Sequence, residues 1–251
     1  MGDNNNTTDL RNSAMSLGDH LEELRARLIL AITGLAVCTI ITFCFGIQII
    51  AFLEIPYRQA IPEVGLQTLT PADGFMTYST IALIAGVIIS SPWIFYQLWM
   101  FVAAGLYPKE KRYVYAAVPF SAALFIAGTL FFIFVVSPIM LKFFVTFNKD
   151  FLGITSNFTF QSYISFITTM SLIFGLSFQM PIVIFILNKA GLVSLELLRK
   201  SRKYVVLVIV IVAAVITPSP DAFSQILLSI PLYILFEVGI LLSHFTRRKE
   251  S

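Results

Sequence analysis

The segment His20-Leu-Glu-Glu-Leu-Arg-Ala-Arg-Leu28 runs without a break into a stretch that carries no charged residue as far as Leu53. Its leucines recur at helical spacing, and Glu22 and Glu23 each precede an arginine by about one helical turn. The uncharged stretch is long enough, as a helix, to cross a hydrocarbon core of about 30 Å. The segment therefore predicts an amphipathic turn on a membrane surface that continues into a first spanning helix. An ordinary juxtamembrane anchor with self-paired charges fits the segment equally well.

The composition places the whole chain in a membrane. Hydrophobic residues make up 57% of the 251 residues, charged residues only 12%, and the mean hydropathy is +0.86. A soluble domain carries roughly 25% charged residues. Both cysteines, Cys38 and Cys44, fall inside the first apolar segment, so neither a disulfide framework nor a metal site is indicated. That segment lacks a cleavage site after it and is too long for a signal-peptide core, so we interpret it as a retained span.

Six apolar segments predict an all-α integral membrane protein with six transmembrane helices. Residues 1–15 are polar and predicted to be a disordered tail, residues 16–245 form the transmembrane domain, and residues 246–251 form a basic tail. The predicted spans are Leu28–Leu53, a helix within Gly74–Pro108, Tyr113–Leu141, Tyr163–Leu187, Tyr204–Thr217 and Ala222–Phe245.

Three of these segments depart from an ordinary span. The second is longer than one span requires, so its helix should start outside the bilayer, tilt, or bend near Ser91-Pro92. The fifth and sixth helices are expected to be short, which implies a thinned bilayer or burial against neighbouring helices. Residues Lys142–Ser162 are rich in aromatic residues and contain charges and Gly153, so we expect an irregular connection there.

The basic residues are distributed unequally between the two sides of this topology. Fourteen lie on the side of the termini and three on the other, which together account for all 17 lysines and arginines. The excess of bases in short cytoplasmic loops therefore predicts that both termini are cytoplasmic. The three on the far side are Arg58, Lys142 and Lys149.

Enzyme chemistry is poorly supported. The chain has no glycine-rich phosphate loop ending in Gly-Lys-Ser/Thr, so ATP hydrolysis is not expected. Its two histidines, His20 and His244, are not part of a His-Glu-x-x-His motif, which disfavours a metalloprotease. The sequence thus predicts no catalytic residue, no metal and no cofactor. Nucleic acid is not expected among the partners.

A few polar residues lie within or beside the apolar helices, where ionisable groups are costly and often functional. Glu237 lies inside the sixth helix, and Gln179 lies in the fourth beside Pro181, whose ring frees a backbone carbonyl. Asp221 and Gln225 mark the start of the sixth helix. Glu237 alternatively makes a structural hydrogen bond to another helix, the two glutamines alternatively join helices, and Asp221 alternatively caps its helix.

Several motifs, in their order and spacing, resemble the TatC family, the multi-spanning core of the twin-arginine protein translocase. The resemblance runs from about residue 16 to 245 and is carried by the opening segment at 20–27 and four further stretches. These are Pro92-Trp-Ile-Phe-Tyr-Gln-Leu-Trp-Met-Phe101 leading to Gly105-Leu-Tyr-Pro-Lys-Glu-Lys-Arg112, Phe174-Gly-Leu-Ser-Phe-Gln-Met-Pro181, Thr217-Pro-Ser-Pro-Asp-Ala-Phe-Ser-Gln225 and Pro231-Leu-Tyr-Ile-Leu-Phe-Glu237.

The resemblance implies a receptor for signal peptides that carry two adjacent arginines. Such a pair requires carboxylates that accept bidentate hydrogen bonds, and Glu23 and Glu110 match the family's signal-binding positions. Because Glu110 stands among three basic residues, it is alternatively an acid neutralised by its neighbours. Phe101 and Leu106 would line an apolar surface for the hydrophobic part of the signal.

The remaining positions have implied roles in support and assembly. Arg25 and Arg27 would orient the acids rather than meet the signal's arginines. The region around the last two helices would bind the single-span partners TatA or TatB, with Gln225 and Glu237 as polar contacts. Gln179 replaces a glutamate that many family members carry; it can still form hydrogen bonds but cannot titrate.

The resemblance also implies location and mechanism. Folded proteins would be exported across a bacterial-type inner membrane by the proton motive force, in a homo- and hetero-oligomeric assembly. Two alternatives remain open at this point. One is a proton-coupled small-solute transporter using Glu237 and Asp221, although the repeated halves with interrupted helices expected of one are not apparent. The other is a passive scaffold for the single-span proteins.

Overall fold

The computed structural model describes residues 17–62, 65–105, 108–154, 156–216 and 221–248. Nearly all of this part of the chain is helical. Its elements are α1 (Leu17–Cys44), α2 (Gly46–Leu53), α3 (Ile55–Ala60), α4 (Asp73–Ala104), α5 (Pro108–Phe131), a π-helical turn (Phe132–Val136), α6 (Ser137–Leu152), α7 (Phe160–Ser177), α8 (Met180–Lys189), α9 (Leu195–Lys200), α10 (Arg202–Ile216) and α11 (Ala222–Arg248).

Five helical segments are long and apolar enough to cross a membrane, which confirms the prediction of an all-helical, multi-span protein. They are His20–Cys44, Asp73–Ala104, Val114–Leu152, Phe160–Lys189 and Ala222–His244. The predicted fifth span corresponds to α10, which has only 15 residues and a length of about 22 Å. It is short, as predicted, and it lies outside this set of five.

The prediction of an irregular connection over Lys142–Ser162 was wrong for residues 142–152, because the helix continues to Leu152 as α6. The described residues between α6 and α7 are not helical. Lys142, Lys149 and the aromatic residues between them look like loop signals in the sequence. In the structure α6 is amphipathic: Met140 and Leu141 are buried while both lysines are exposed. The helix ends where Gly153 adopts a left-handed φ of 65°, a conformation that glycine tolerates without strain.

The prediction that the last helix is short was also wrong. α11 has 27 residues, and Pro231 lies in its interior without ending it. Its backbone extends through Arg248, so the first residues of the predicted basic tail continue the helix. Residues 1–15, predicted to be disordered, lie outside the described residues.

The other long helices differ from simple rods. The first apolar segment is divided at Phe45, where α1 gives way to α2. The fourth predicted span is divided at Phe178-Gln179, just before Pro181 opens α8. By contrast, Pro92 lies inside one continuous helix, α4, whose 32 residues reach about 48 Å. Since the hydrocarbon core is only about 30 Å thick, α4 must tilt or project beyond it.

Helix α1 packs along α4, and side chains of each helix bond to the other's backbone. The indole Nε1 of Trp93 donates to Leu30 O at 2.9 Å, and the hydroxyl of Thr42 donates to Ala82 O at 2.6 Å. Gly86 permits the close approach, because a Cβ there would lie 2.9 Å from the Cα of Thr39. The two antiparallel helices thus bring the start of α1 beside the end of α4.

At the other end of the bundle, hydrogen bonds connect α7 and the loop before it to α2 and to the loop before α4. The hydroxyl of Tyr163, at the start of α7, donates to Leu53 O at 2.6 Å and is buried. The loop before α4 meets the loop before α7 in a parallel β-bridge, with Phe160 N donating to Gln67 O at 2.8 Å. We call this the bridge end and the opposite one, where α1 begins, the N-terminal end.

Candidate functional site

A hydrogen-bonded chain of three side chains lies at the N-terminal end. Arg27 Nε donates to Glu23 Oε1 at 2.7 Å, and Arg27 Nη1 donates to Gln97 Oε1 of α4 at 3.1 Å. Gln97 is only 2% exposed, whereas the Glu23 side chain is 28% exposed. The buried amide therefore fixes the guanidinium, and the guanidinium fixes a carboxylate whose second oxygen accepts no hydrogen bond from the described residues.

An apolar contact lies beside this chain, one helical turn earlier on α1. The rings of His20 and Phe101 stack with centroids 4.5 Å apart and planes inclined by 27°. Gly105 lies next to His20, with its ideal Cβ position 3.4 Å from the imidazole Cε1. Phe101 is only half-buried, so an aromatic surface stays accessible near the Glu23 carboxylate.

The structure brings only some of the predicted site residues together. Arg25 is exposed, and although Glu22 precedes it by about one helical turn, the described residues show no ion pair between the two. Leu106 lies outside the described residues. Glu110 is part of the first turn of α5, but its side chain is outside them too. The convergence of Glu23 and Glu110 thus stays a prediction.

Gln179 lies in the break between α7 and α8 and is 8% exposed. Its Nε2 donates to Ser121 O of α5 at 2.9 Å, while its Oε1 is buried without a partner among the described residues. Ser121 also ties α5 to α4, because its hydroxyl accepts a 2.7 Å bond from Trp99 Nε1. Gln179 therefore joins helices, and its side-chain oxygen is an acceptor inside the bundle that no described residue uses.

The polar residues of α11 make contacts close to their own helix pair. Gln225 Nε2 donates to Val210 O of α10 at 3.0 Å, and the Asp221 carboxylate accepts a 2.7 Å bond from the backbone N–H of Ser224, as a helix cap does. Glu237 forms an ion pair with Arg202 at 2.7 Å and accepts a hydrogen bond from Tyr233 at 2.9 Å. A guanidinium at the start of α10 thus neutralises this carboxylate.

Sequence reasoning missed Gln97 and His20 as members of the site. Both stand inside motifs that carry the family resemblance, but neither has a local signal: Gln97 contacts Arg27 across 70 positions of the chain. The available clue was a glutamine deep in a 32-residue helix whose one charged residue, Asp73, lies in its first turn. Among the described residues, no group of three or more potential metal ligands occurs.

Comparisons with known proteins agree with one another. The protein-family model described as "Sec-independent protein translocase protein (TatC)" matches residues 19–231. The TatC proteins of Carboxydothermus hydrogenoformans and Aquifex aeolicus are 36% and 38% identical, over 96% and 94% of this chain and 98% of each relative.

A crystal structure described as the twin-arginine translocase receptor TatC has the same fold. It superposes with a TM-score of 0.81 at 38% identity, covering 90% of this chain and 98% of that one. Members of this family are subunits of a protein translocase and not enzymes. This assignment excludes the alternative of a small-solute transporter. The chain belongs to the TatC family of Sec-independent protein translocase proteins.

Proposed function

We propose that this chain is the receptor subunit of a twin-arginine translocase, and that it binds the arginine pair of a signal peptide at Glu23. The observation that supports this proposal is the Glu23 carboxylate. Arg27, itself bonded to Gln97, holds one of its oxygens, and the second oxygen accepts no hydrogen bond from any described residue. A preorganised carboxylate accepts a guanidinium with little loss of side-chain freedom.

The neighbouring groups suit the rest of such a peptide. The half-buried ring of Phe101, stacked on His20, offers apolar surface to the hydrophobic segment that follows the arginines. Glu110, in the first turn of α5, and Leu106, outside the described residues, complete the proposed site. Arg25 is exposed and lies close to Glu23 in the sequence. It either positions the acids or binds phosphate groups of the membrane surface.

The proposed topology has six spans, with both termini and the Glu23 site on the cytoplasmic side of a bacterial-type inner membrane. The asymmetry of the basic residues supports this orientation. As the fifth of the six spans, α10 requires the bilayer to thin locally, because about 22 Å of helix must cross a core of about 30 Å.

The proposed partners are the single-span proteins TatA and TatB, in an assembly that also contains further copies of this chain. Gln179 supports this proposal, since its buried Oε1 lacks a donor among the described residues. A polar side chain from a partner helix would satisfy it, with Gln225 and Glu237 as further contacts along α10 and α11. Cargo would then cross by docking and assembly, driven by the proton motive force.

Site-specific photocrosslinking tests the receptor role. A probe at Phe101 and at the positions that flank Glu23 should capture a signal peptide with Arg-Arg and should capture a Lys-Lys peptide much less. Lysine lacks the planar fork that pairs with both carboxylate oxygens, so discrimination reports recognition of the guanidinium. Equal capture of both peptides would reduce the site to apolar binding, and no capture would contradict the proposal.

We expect Gln97→Leu to weaken binding of the Arg-Arg peptide roughly fivefold, because Arg27 loses its buried anchor. One hydrogen bond to a partly exposed guanidinium contributes on the order of 1 kcal/mol. Peptide titration of the purified chain measures the change. The neighbouring exposed residue provides a control, since Leu98→Ala should leave affinity unchanged. Unaltered affinity of a correctly folded Gln97→Leu chain would show that Arg27 holds Glu23 without help from α4.

Gln179→Leu is expected to separate partner binding from stability. It removes one hydrogen bond, but it also removes a buried unpaired acceptor, so the free energy of unfolding should change by less than about 1 kcal/mol. Co-purification with TatA and TatB should fall while peptide crosslinking at Phe101 persists. Leu176→Ala, at an exposed position, is the control. Undiminished co-purification would mean that Gln179 only joins helices.

A further inference from the structure

An apolar cleft of about 310 Å³ lies between α2, α4, α5 with its π-helical turn, and α7. One face of α4 forms its floor, at helical spacings of three and four, through Ile81, Ile84, Ala85, Ile88 and Ile89. From Ile81 to Ile89 the helix rises by eight steps, or about 12 Å along its axis. That length is close to one leaflet, which is half of a core about 30 Å thick.

The hydroxyl groups in the wall of the cleft are already used. Thr129 donates to Ser171 O at 3.3 Å, Thr168 donates to Ile164 O at 2.6 Å, and Ser171 donates to Ile167 O at 2.6 Å. These three hydroxyl groups therefore offer no unpaired donor to a guest. An apolar guest suits such a surface, whereas a polar guest would lose hydrogen bonds on entering.

One polar group at the rim is unused. Gln48 of α2 lines the cleft, is exposed, and makes no side-chain hydrogen bond within the described part of the chain. It lies six residues before Glu54, the first charged residue after the apolar segment, so it is only about 9 Å from that charge along a helix. Gln48 therefore stands near the membrane interface at the bridge end.

We propose that this cleft binds one acyl chain of a phospholipid from the leaflet at the bridge end, with the Gln48 amide donating to an ester carbonyl of the same lipid. The apolar wall and the length of about 12 Å suit one acyl chain, and the exposed Gln48 amide at the rim suits the ester region of the same lipid. The acyl chain packs against four elements at once and fills the space between α2 and α7.

Native mass spectrometry of the full chain, purified in detergent with added phospholipid, tests this site. One phospholipid should stay bound to each wild-type chain. Gln48→Leu, a change at an exposed position that should not disturb folding, is expected to lower its occupancy at least threefold. Ala85→Phe, which fills the cleft, should lower it at least fivefold. Leu83→Phe adds a ring at an exposed position of the same helix outside the cleft and should leave occupancy unchanged.

A phospholipid with a photoreactive group halfway along its acyl chain then locates the contact in liposomes. Crosslinks should concentrate at Ile84, Ile88 and Leu130, and they should disappear in Ala85→Phe. Several outcomes would overturn the proposal: equal labelling of exposed positions on α1 such as Ile40, retention of a free fatty acid instead of a phospholipid, or crosslinks between two protein chains through the cleft. Peptide crosslinking at Phe101 should stay unchanged in all three variants, so this test is independent of the receptor role.

Discussion

Glu23→Lys is expected to abolish detectable binding of a twin-arginine signal peptide, with a loss on the order of 100-fold. The substitution removes the acceptor of a charge-assisted hydrogen bond and places a cation beside Arg27, whose Nε lies 2.7 Å from the present carboxylate. Loss of such bonds together with like-charge repulsion amounts to about 3 kcal/mol at a partly exposed site. Fluorescence anisotropy of a labelled peptide, with the purified chain in nanodiscs, measures this loss.

Glu22 supplies the matched control. It is the adjacent residue, it is exposed, and it has no ion-pair partner among the described residues, so Glu22→Lys makes the same change in net charge. We expect its affinity to stay within about twofold of the wild type. Glu23→Gln should fall between the two, because it keeps an acceptor and loses the charge. If Glu22→Lys weakened binding as much as Glu23→Lys, the site would be a general electrostatic surface.

Local patterns of charge allowed part of this site to be predicted. Glu23 and Arg27 lie one helical turn apart, so their contact follows from helix geometry alone. The partner of Arg27 on α4 does not, because Gln97 is 70 positions away and only the packing of α1 on α4 brings it close. For the same reason the sequence does not predict the ion pair between Arg202 and Glu237, which are separated by 35 positions.

The fold shows the same division between local and tertiary information. Long uncharged runs predicted the spans, since a helix needs about 20 apolar residues to cross the hydrocarbon core. The end of α6 was missed because Lys142 and Lys149 occupy an exposed helical face rather than a loop. Pro92 and Pro231 lie inside continuous helices, whereas the helix break at Phe178-Gln179 comes before Pro181. Proline alone therefore does not place a break.

Gly86→Leu is expected to damage both stability and signal binding, because it forces α1 away from α4. Even the first carbon of a side chain would lie 2.9 Å from the Cα of Thr39, and backbone cannot move aside as a flexible side chain can. Overpacking of this kind typically costs about 1–3 kcal/mol. We expect a lower midpoint of thermal unfolding in detergent and a weakened peptide complex, since separated helices no longer hold Arg27 against Gln97.

Gly74 distinguishes this steric effect from a general intolerance of leucine in α4. It lies in the first turn of the same helix, and a Cβ there would meet nothing within 4 Å. Gly74→Leu should therefore leave both the unfolding midpoint and peptide affinity near their wild-type values. Gly86→Ala should show a smaller form of the Gly86→Leu defect, since it adds the crowded carbon alone. A Gly86→Leu chain that unfolds at the wild-type temperature and binds peptide normally would contradict this prediction. It would show that α1 and α4 can separate without disturbing Glu23, and that their close packing does not position the receptor site.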